Sequence, residues 1–230
     1  MTSFRLRRLR RRWRRAGHLG LVLVACLAVA ACTDGMPTGS DADNPGGALI
    51  SSAASSGTYL GAEPASPYEM PDVTLEATNS QPFNLVTDTA YPVTLVFFGY
   101  TNCPDVCQLV MSDLTSAVLQ LPDSVQEQTQ VVFVTTDPAR DTPEVLREYL
   151  DHYDGGFVGL TGDLGDIVEA AEAMGVPIEG RNRLPSGGYD VGHGAQVIGF
   201  TGNQAPVLWT EGTPVDDVVD DVVELSALGG

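Results

Sequence analysis

The chain has 230 residues, with 12 basic and 30 acidic side chains, which is enough for one domain of about 150 residues plus appendages. Eight of the arginines stand among the first 15 residues, and there is no lysine. The remainder has four arginines and a charge of about −26, which argues against nucleic acid and against electrostatic docking on anionic lipid. So acidic a surface favours either simple solubility or attraction of a basic partner.

An export signal is predicted at the start of the chain. The arginines precede an apolar run over residues 19–31, which is shorter than the roughly 20 residues that span a bilayer. This run ends in Val29-Ala30-Ala31-Cys32, which is typical of a bacterial lipoprotein signal. We therefore predict a signal peptide over residues 1–31 and lipid attachment at Cys32. Cys26 is a weaker second candidate for lipid attachment. Export by the twin-arginine route is left open.

The segment that follows is predicted to be a flexible tether, because residues 32–57 are rich in Gly, Ser, Ala and Asp and lack periodicity. We place the folded domain at residues 58–230. Cys26 would leave with the leader and Cys32 would carry lipid, so Cys103 and Cys107 are the only thiols expected in this domain.

Apolar periodicity predicts strands alternating with helices along the domain. The pattern indicates an α/β fold, a thioredoxin-like sandwich with a central mixed β-sheet flanked by helices. The predicted strands are 72–75 and 82–85 (a hairpin), 93–98, 130–136, 157–160, 189–200 and 205–210. The predicted helices are 104 or 105 to 119, 143–153, 163–174 and 215–225.

Cys103 and Cys107 lie at the mouth of the first helix, at a spacing that places both on one helix face. The N-terminus of a helix favours a thiolate over a thiol, and the thiolate is the form that binds metal or attacks disulfides. Two such sulfurs suit Cu(I), and zinc less specifically. The alternative is an ordinary disulfide between them in an exported protein.

Three stretches resemble the Sco/SenC family of copper-delivery proteins for cytochrome oxidase assembly. They are the runs Phe98-Gly-Tyr-Thr-Asn-Cys-Pro-Asp-Val-Cys107, Thr136-Asp-Pro-Ala-Arg-Asp-Thr-Pro143 and Tyr189-Asp-Val-Gly-His193. The resemblance covers residues from about 71 to 225 and implies a copper site made by Cys103, Cys107 and His193. Gln108, Gly192 and Gly194 depart from the pattern expected of the family.

Other candidate ligands are weaker. Met111 continues the four-residue ladder of the cysteines but lies about 12 Å from Cys103 along the helix, so we expect it in the core. Asp105 fits an ordinary acid at a helix start, and Asp137 could tune the site. His152, in an acidic helix tail, is expected to be solvated, and Arg140 to pair with an acid in its own loop.

Two functions of different classes follow. In the first, a lipid-anchored protein on the extracytoplasmic face of the cell membrane takes copper from a donor protein and delivers it to the binuclear copper site of an oxidase subunit. In the second, the chain is an enzyme, a thiol–disulfide reductase. It keeps the cysteines of that target reduced while Cys103 and Cys107 cycle through a disulfide. His193 favours the chaperone, because disulfide exchange needs no third metal ligand.

The lipoprotein signal makes the first testable prediction. Cleavage before Cys32 and diacylglycerol attachment at its thiol should give a mature chain that begins at residue 32. Mass spectrometry of the native N-terminus measures both features. An intact leader, or a chain that begins elsewhere, would contradict the lipid anchor and the tether.

Overall fold

The structure is a computed structural model that describes residues 57–89, 91–185 and 188–229. The predicted signal peptide, Cys32 and all of the predicted tether except Gly57 lie outside the described residues. Among the residues that are described, no helix has the length and apolar character needed to cross a membrane.

An eight-stranded mixed sheet forms the centre of the domain, in the order β1-β10-β9-β4-β5-β6-β2-β3. Its strands are β1 (Tyr68–Glu69), β2 (Thr74–Ala77), β3 (Pro82–Asn84), β4 (Val93–Gly99), β5 (Thr129–Thr135), β6 (Val158–Thr161), β9 (Val197–Thr201) and β10 (Gln204–Trp209). A separate two-stranded sheet joins β7 (Ile178–Arg183) to β8 (Tyr189–His193). The helices are α1 (Val106–Gln120), α2 (Asp123–Gln126), α3 (Pro143–Leu150), α4 (Leu164–Ala173) and α5 (Val215–Leu228).

Strand β4 is buried along its whole length, because helices cover both faces of the sheet. Alternate side chains of a strand point to opposite faces, so Leu95 and Phe97 enter the core beneath α1 and α5, whereas Phe98 enters the core beneath α4. β4 pairs in parallel with β5 and antiparallel with β9. The predicted thioredoxin-like sandwich with a mixed sheet is confirmed.

Most predicted elements are confirmed to within a few residues at each end. The cap of α3 is as expected, with Thr142 accepting from the Val145 backbone N–H and Pro143 at the first helical position. Helix α4 stops at Gly175, whose backbone φ of +69° and close approach to Tyr68 exclude a side chain.

The prediction of one continuous strand over residues 189–200 is wrong. The chain leaves one sheet after His193 and enters the other at Val197, so the stretch forms two strands with different partners. In the three-residue link, the Gly194 N–H donates to the Pro177 carbonyl and the Gln196 side chain donates to the Gly175 carbonyl. These bonds hold the end of β8 against the turn that follows α4.

Strand β7 has no counterpart among the predicted strands, because its sequence is polar and it lies on the surface. It is specified by its pairing with β8, in which Ile178 lies opposite His193 and Arg183 opposite Tyr189. The two strands form a hairpin, here called the β7–β8 hairpin, that carries His193 at its base.

A buried carboxylate fixes the first described residues to the last helix. Asp221 of α5 accepts hydrogen bonds from the backbone N–H groups of Leu60 and Gly61, at 2.7 and 2.8 Å, and from the Trp209 indole, at 2.8 Å. Only 2% of Asp221 is exposed. The chain ahead of β1 is therefore part of the domain.

Replacement of this carboxylate should be costly, because Asp221→Ala removes the acceptor of three N–H groups, among them the buried indole of Trp209. We expect the free energy of unfolding to fall by about 3 kcal/mol, measured by urea denaturation. The exposed neighbour offers a matched control, since Asp220→Ala should change stability by less than about 0.5 kcal/mol. Equal effects of the two substitutions would contradict the role given to Asp221.

Candidate metal centre

Three side chains from separate segments meet at the carboxyl end of β4. Cys103 lies in the turn after β4, Cys107 in the first turn of α1, and His193 at the end of β8. The two Sγ atoms and a ring nitrogen of His193 lie within 4.8 Å of one another, and Cys107 Sγ is 3.5 Å from His193 Nε2. The structure thus brings together all three residues predicted as metal ligands.

The His193 ring is held with one nitrogen free for a metal. Its Nδ1 lies 2.9 Å from the Gly194 carbonyl, which requires Nδ1–H as the donor and leaves the Nε2 lone pair free. The edges of Tyr100 and Phe97 pack against the ring, at centroid distances of 5.7 and 6.3 Å. Gly194 therefore supplies the outer partner that histidine ligands commonly have, through its backbone.

Cys103 and Cys107 are not joined by a disulfide, and the pair carries one negative charge. A hydrogen bond from the Cys107 thiol outweighs the effect of burial and lowers the pKa of Cys103 from 9.0 to about 4. Conversely, the hydrogen bond to Cys103 and burial raise the pKa of Cys107. The pair is thus prepared as one thiolate and one thiol, and a metal would displace the proton of Cys107.

Gly99 is required where β4 meets the cysteine turn. A Cβ at this position would lie 3.2 Å from Cys107 Sγ and 3.0 Å from the rings of Phe97 and Phe133. These contacts are too close for a side chain without displacement of the sulfur or the rings. The absence of a side chain at Gly99 therefore lets Cys107 pack directly on the end of β4.

Asp141, in the loop between β5 and α3, anchors the cysteine turn. Its fully buried carboxylate accepts from the Thr101 N–H at 3.0 Å and from the Thr101 and Thr135 hydroxyls at 2.6 Å each. Thr101 lies two residues before Cys103, and Thr135 ends β5. The start of the cysteine turn is therefore fixed to the neighbouring strand.

Asp137, in the same loop, anchors the β7–β8 hairpin. Its fully buried carboxylate accepts from Arg140, from Arg181 of β7 at 3.2 Å, and from the Tyr189 hydroxyl of β8 at 3.0 Å. The guanidinium of Arg140 also lies over the Tyr189 ring, 3.8 Å from its centroid. We call Asp137, Arg140, Arg181 and Tyr189 the Asp137 cluster. It ties the strand that ends in His193 to the end of β5.

The weaker candidates lie where the sequence predicts. Met111 is fully buried in the core cluster around α1, and Asp105 caps that helix through the Val106 N–H. His152 is exposed and its Nδ1 contacts the Glu148 carbonyl. Arg140 pairs with Asp137 in its own loop, as expected. Neither Met111 nor His152 belongs to the three-residue cluster that could hold a metal.

Sequence reasoning missed the residues that support the ligands. Tyr100, only 2% exposed, packs against His193, and burial raises the pKa of its phenol to about 12, so it stays neutral. The roles of Asp141 and Tyr189 were also not predicted, although both stand in the stretches that carry the family resemblance. No sequence pattern links Tyr189 to Asp137, because the two are joined only by the packing of the hairpin.

The donor set fits copper. Two thiolate sulfurs are soft ligands that favour Cu(I), and a neutral imidazole is accepted by both Cu(I) and Cu(II). Cys103, Cys107 and His193 would together supply three protein ligands to such an ion.

The chain matches the SCO1/SenC family over residues 72–225, a stretch that contains all three candidate ligands. It belongs to the SCO1/SenC family. A relative in Stutzerimonas stutzeri, named for copper binding, is 38% identical over 128 residues. That match covers 56% of this chain and 62% of the relative. The chain thus spans less than two thirds of the length of this relative.

Solved structures of the family share the fold. The apo Sco1 protein from Thermus thermophilus is 32% identical with a TM-score of 0.65, and the match covers 75% of this chain and 99% of that one. Yeast Sco1 with copper bound is 27% identical with a TM-score of 0.62, and the match covers 69% of this chain and 88% of that one.

The Asp137 cluster predicts that a substitution outside the three ligands lowers the affinity for copper. Asp137→Asn removes the charge that holds Arg181, so the β7–β8 hairpin should loosen and the affinity for copper should fall. The loss should not exceed the roughly 10- to 100-fold typical of removing a direct hydrogen-bond partner of a metal ligand, because Asp137 acts on His193 only through the hairpin. Tyr189→Phe, which removes only the phenol hydroxyl, should have a smaller effect. Competition with a chromophoric chelator measures the affinity, and unchanged affinity in Asp137→Asn would show that the cluster does not position His193.

The thiolate of Cys103 makes a prediction about pH. In the reduced, metal-free protein, alkylation of Cys103 should keep a constant rate as pH falls from 8 to about 5. The rate should then halve near pH 4, because a lowered pKa keeps the thiolate populated until that pH. Iodoacetamide labelling with peptide mass spectrometry follows each cysteine separately. A rate that already falls below pH 8 would show an ordinary thiol.

Proposed function

We propose that the chain is a lipid-anchored copper chaperone on the extracytoplasmic face of the membrane. It takes copper from a donor protein into the site of Cys103, Cys107 and His193 and delivers it to the binuclear copper site of a cytochrome oxidase subunit. The observation that carries the proposal is the convergence of two sulfurs and a free imidazole nitrogen within 4.8 Å.

Each ligand has a separate part in this function. Cys103 supplies the sulfur that is already ionised, so it can take the first bond to an arriving Cu(I). Cys107 then loses its proton and closes the chelate from the first turn of α1. His193 completes the site from another segment, and it can adapt to either oxidation state of copper.

The position of the site suits transfer to another protein. Pro104 and Asp105 between the cysteines are exposed, and His193 is partly exposed, so a partner's ligands can approach the metal from outside. The body of the site is nonetheless buried on the core side by Tyr100, Phe97 and Cys107. Copper would therefore be shielded from solvent on one side and open to exchange on the other.

A thiol–disulfide reductase is the second candidate, and the lowered pKa of Cys103 favours it. In that role the Cys103 thiolate attacks a target disulfide to form a mixed disulfide. Cys107, after losing its proton, then attacks Cys103 Sγ and releases the reduced target, which leaves a Cys103–Cys107 disulfide. This chemistry uses two electrons from the cysteine pair and gives no role to His193.

Substitution of the ligands tests the metal site. Cys103→Ser, Cys107→Ser and His193→Ala should each weaken copper binding by more than about 100-fold, since loss of an outer partner alone costs about 10- to 100-fold. Titration of the reduced protein with Cu(I) and Cu(II), with thiolate charge-transfer absorption as a second signal, measures the binding. His152→Ala and Met111→Leu are matched controls that should bind one copper with full affinity.

The same histidine variant separates the two functions. His193→Ala should lose Cu(II) binding yet still form and reduce the Cys103–Cys107 disulfide, and cells that carry it should fail to assemble the oxidase. Normal assembly in those cells would contradict the chaperone and support the reductase. Full affinity for copper would instead mean that another residue is the third ligand, with Met111 or Asp105 the next candidates.

A further inference from the structure

An apolar groove adjoins the metal centre. It lies between α1, the link from β8 to β9 and the loop from β10 to α5, and it contains a cavity of about 30 Å³. Its apolar lining comes from Val110, Leu114, Ala195, Val197, Trp209 and Val218. Val110 is three residues after Cys107, and Ala195 is two residues after His193. The groove therefore begins where the ligands end.

Two carboxylates stand at the rim of this groove. Asp113 of α1 and Glu211 of the β10–α5 loop both line it, and both are exposed. Within the described part of the chain, neither side chain takes part in an ion pair or a hydrogen bond. Leu109, which is 55% exposed, lies one turn before Asp113 on the same face of α1. The rim thus presents free negative charge beside exposed apolar surface.

The arginines of the domain lie elsewhere. Arg140 and Arg181 belong to the Asp137 cluster, Arg183 is on the same hairpin, and Arg147 pairs with Asp151 on α3. Because the chain after residue 31 carries a charge of about −26, its field attracts positively charged proteins and repels acidic ones. The rim of the groove and the surface as a whole therefore both favour a positively charged occupant.

We propose that this groove docks a segment of the protein that exchanges copper with this chain, and that the segment carries an apolar side chain next to a lysine or arginine. The apolar side chain enters the groove, and the cation pairs with Asp113 and Glu211. This inference rests on the proposed copper function for the identity of the partner, but the complementarity of the groove is independent of copper.

The size of the cavity argues for a side chain of a protein rather than a free ligand. A volume of about 30 Å³ holds one or two water molecules, whereas sites for small organic ligands measure about 300–1,000 Å³. A single apolar branch anchored there would pack against Trp209 and Val110 and displace water. The rim charges would supply orientation and speed of encounter more than affinity.

Docking at this groove would bring the partner to the metal. Val110 and Cys107 are one helix turn apart, about 5 Å along the helix axis. A ligand a few residues from the docked side chain could therefore reach copper at its exposed side. The groove would align the two sets of ligands for exchange without touching the copper itself.

Tryptophan fluorescence provides a direct test, because Trp209 lines the groove and Trp13 is the only other tryptophan. The full chain with Trp13→Phe, reduced and free of copper, is titrated at low salt with the peptide acetyl-Gly-Arg-Leu-Arg-Gly-amide. We expect a saturable change in Trp209 emission. Peptides with Asp in place of Arg, or with Gly in place of Leu, should bind more weakly.

Paired charge variants localise the binding. Asp113→Asn with Glu211→Gln should weaken the basic peptide about threefold to tenfold, as two exposed ion pairs would. The control pair Glu127→Gln with Glu172→Gln removes the same charge from exposed positions outside the groove and should leave the affinity unchanged. Added salt should weaken peptide binding equally in the unsubstituted chain and in the control variant, because both keep the rim carboxylates.

Two results would overturn the inference: no change in Trp209 emission with the basic peptide, or equal weakening in the rim pair and the control pair. Failure of the copper function would be visible separately, because the unsubstituted chain would then fail to bind copper whatever the peptide does. A chain that binds copper but shows no peptide response would refute the groove and leave the metal site intact.

Discussion

The metal centre depends on two buried carboxylates at the end of β5. Asp141 fixes the turn that carries Cys103, and Asp137 fixes the hairpin that carries His193. The ligands come from three separate segments, and His193 is 86 residues from Cys107 and 90 from Cys103 along the chain. Without these anchors, assembly of the site would have to be driven by the metal, at a cost in loop entropy. A preformed site lowers that cost and limits the positions that copper can take.

The topology of the sheet places these anchors next to the ligands. β4 and β5 are parallel neighbours, so their carboxyl ends lie at the same edge, and the loops that follow them meet there. The cysteine turn follows β4, and the loop with both aspartates follows β5. The two carboxylates differ in their partners, because Asp141 accepts only from hydroxyl and N–H groups, whereas Asp137 is paired with two guanidiniums. The hairpin is therefore held by ion pairs, and the cysteine turn by hydrogen bonds from uncharged donors to a carboxylate.

Much of the fold could be predicted because its signals are local. The apolar runs at β4 and β5 and the caps at Asp105 and Thr142 stand in the sequence itself. The four-residue spacing of the cysteines likewise indicates that the two sulfurs can meet, which they do, but the prediction that both lie on one helix face is wrong, because α1 begins at Val106 and Cys103 stands in the turn before it. The strand break at residues 194–196 and the polar strand β7 could not be predicted, since both are set by the packing of a hairpin rather than by periodicity. His193 is predicted as a ligand from its place just before an apolar run and, more strongly, from the family resemblance, whereas no sequence signal identifies Tyr189 as its support.

The central claim is that Cys103, Cys107 and His193 bind one copper ion together. X-ray absorption at the copper edge of the singly loaded, reduced protein tests this most directly, because it counts sulfur and nitrogen neighbours without any substitution. The account predicts two sulfur scatterers and one imidazole nitrogen in the first shell. A first shell with a single sulfur, or with sulfur alone and no imidazole, would contradict it.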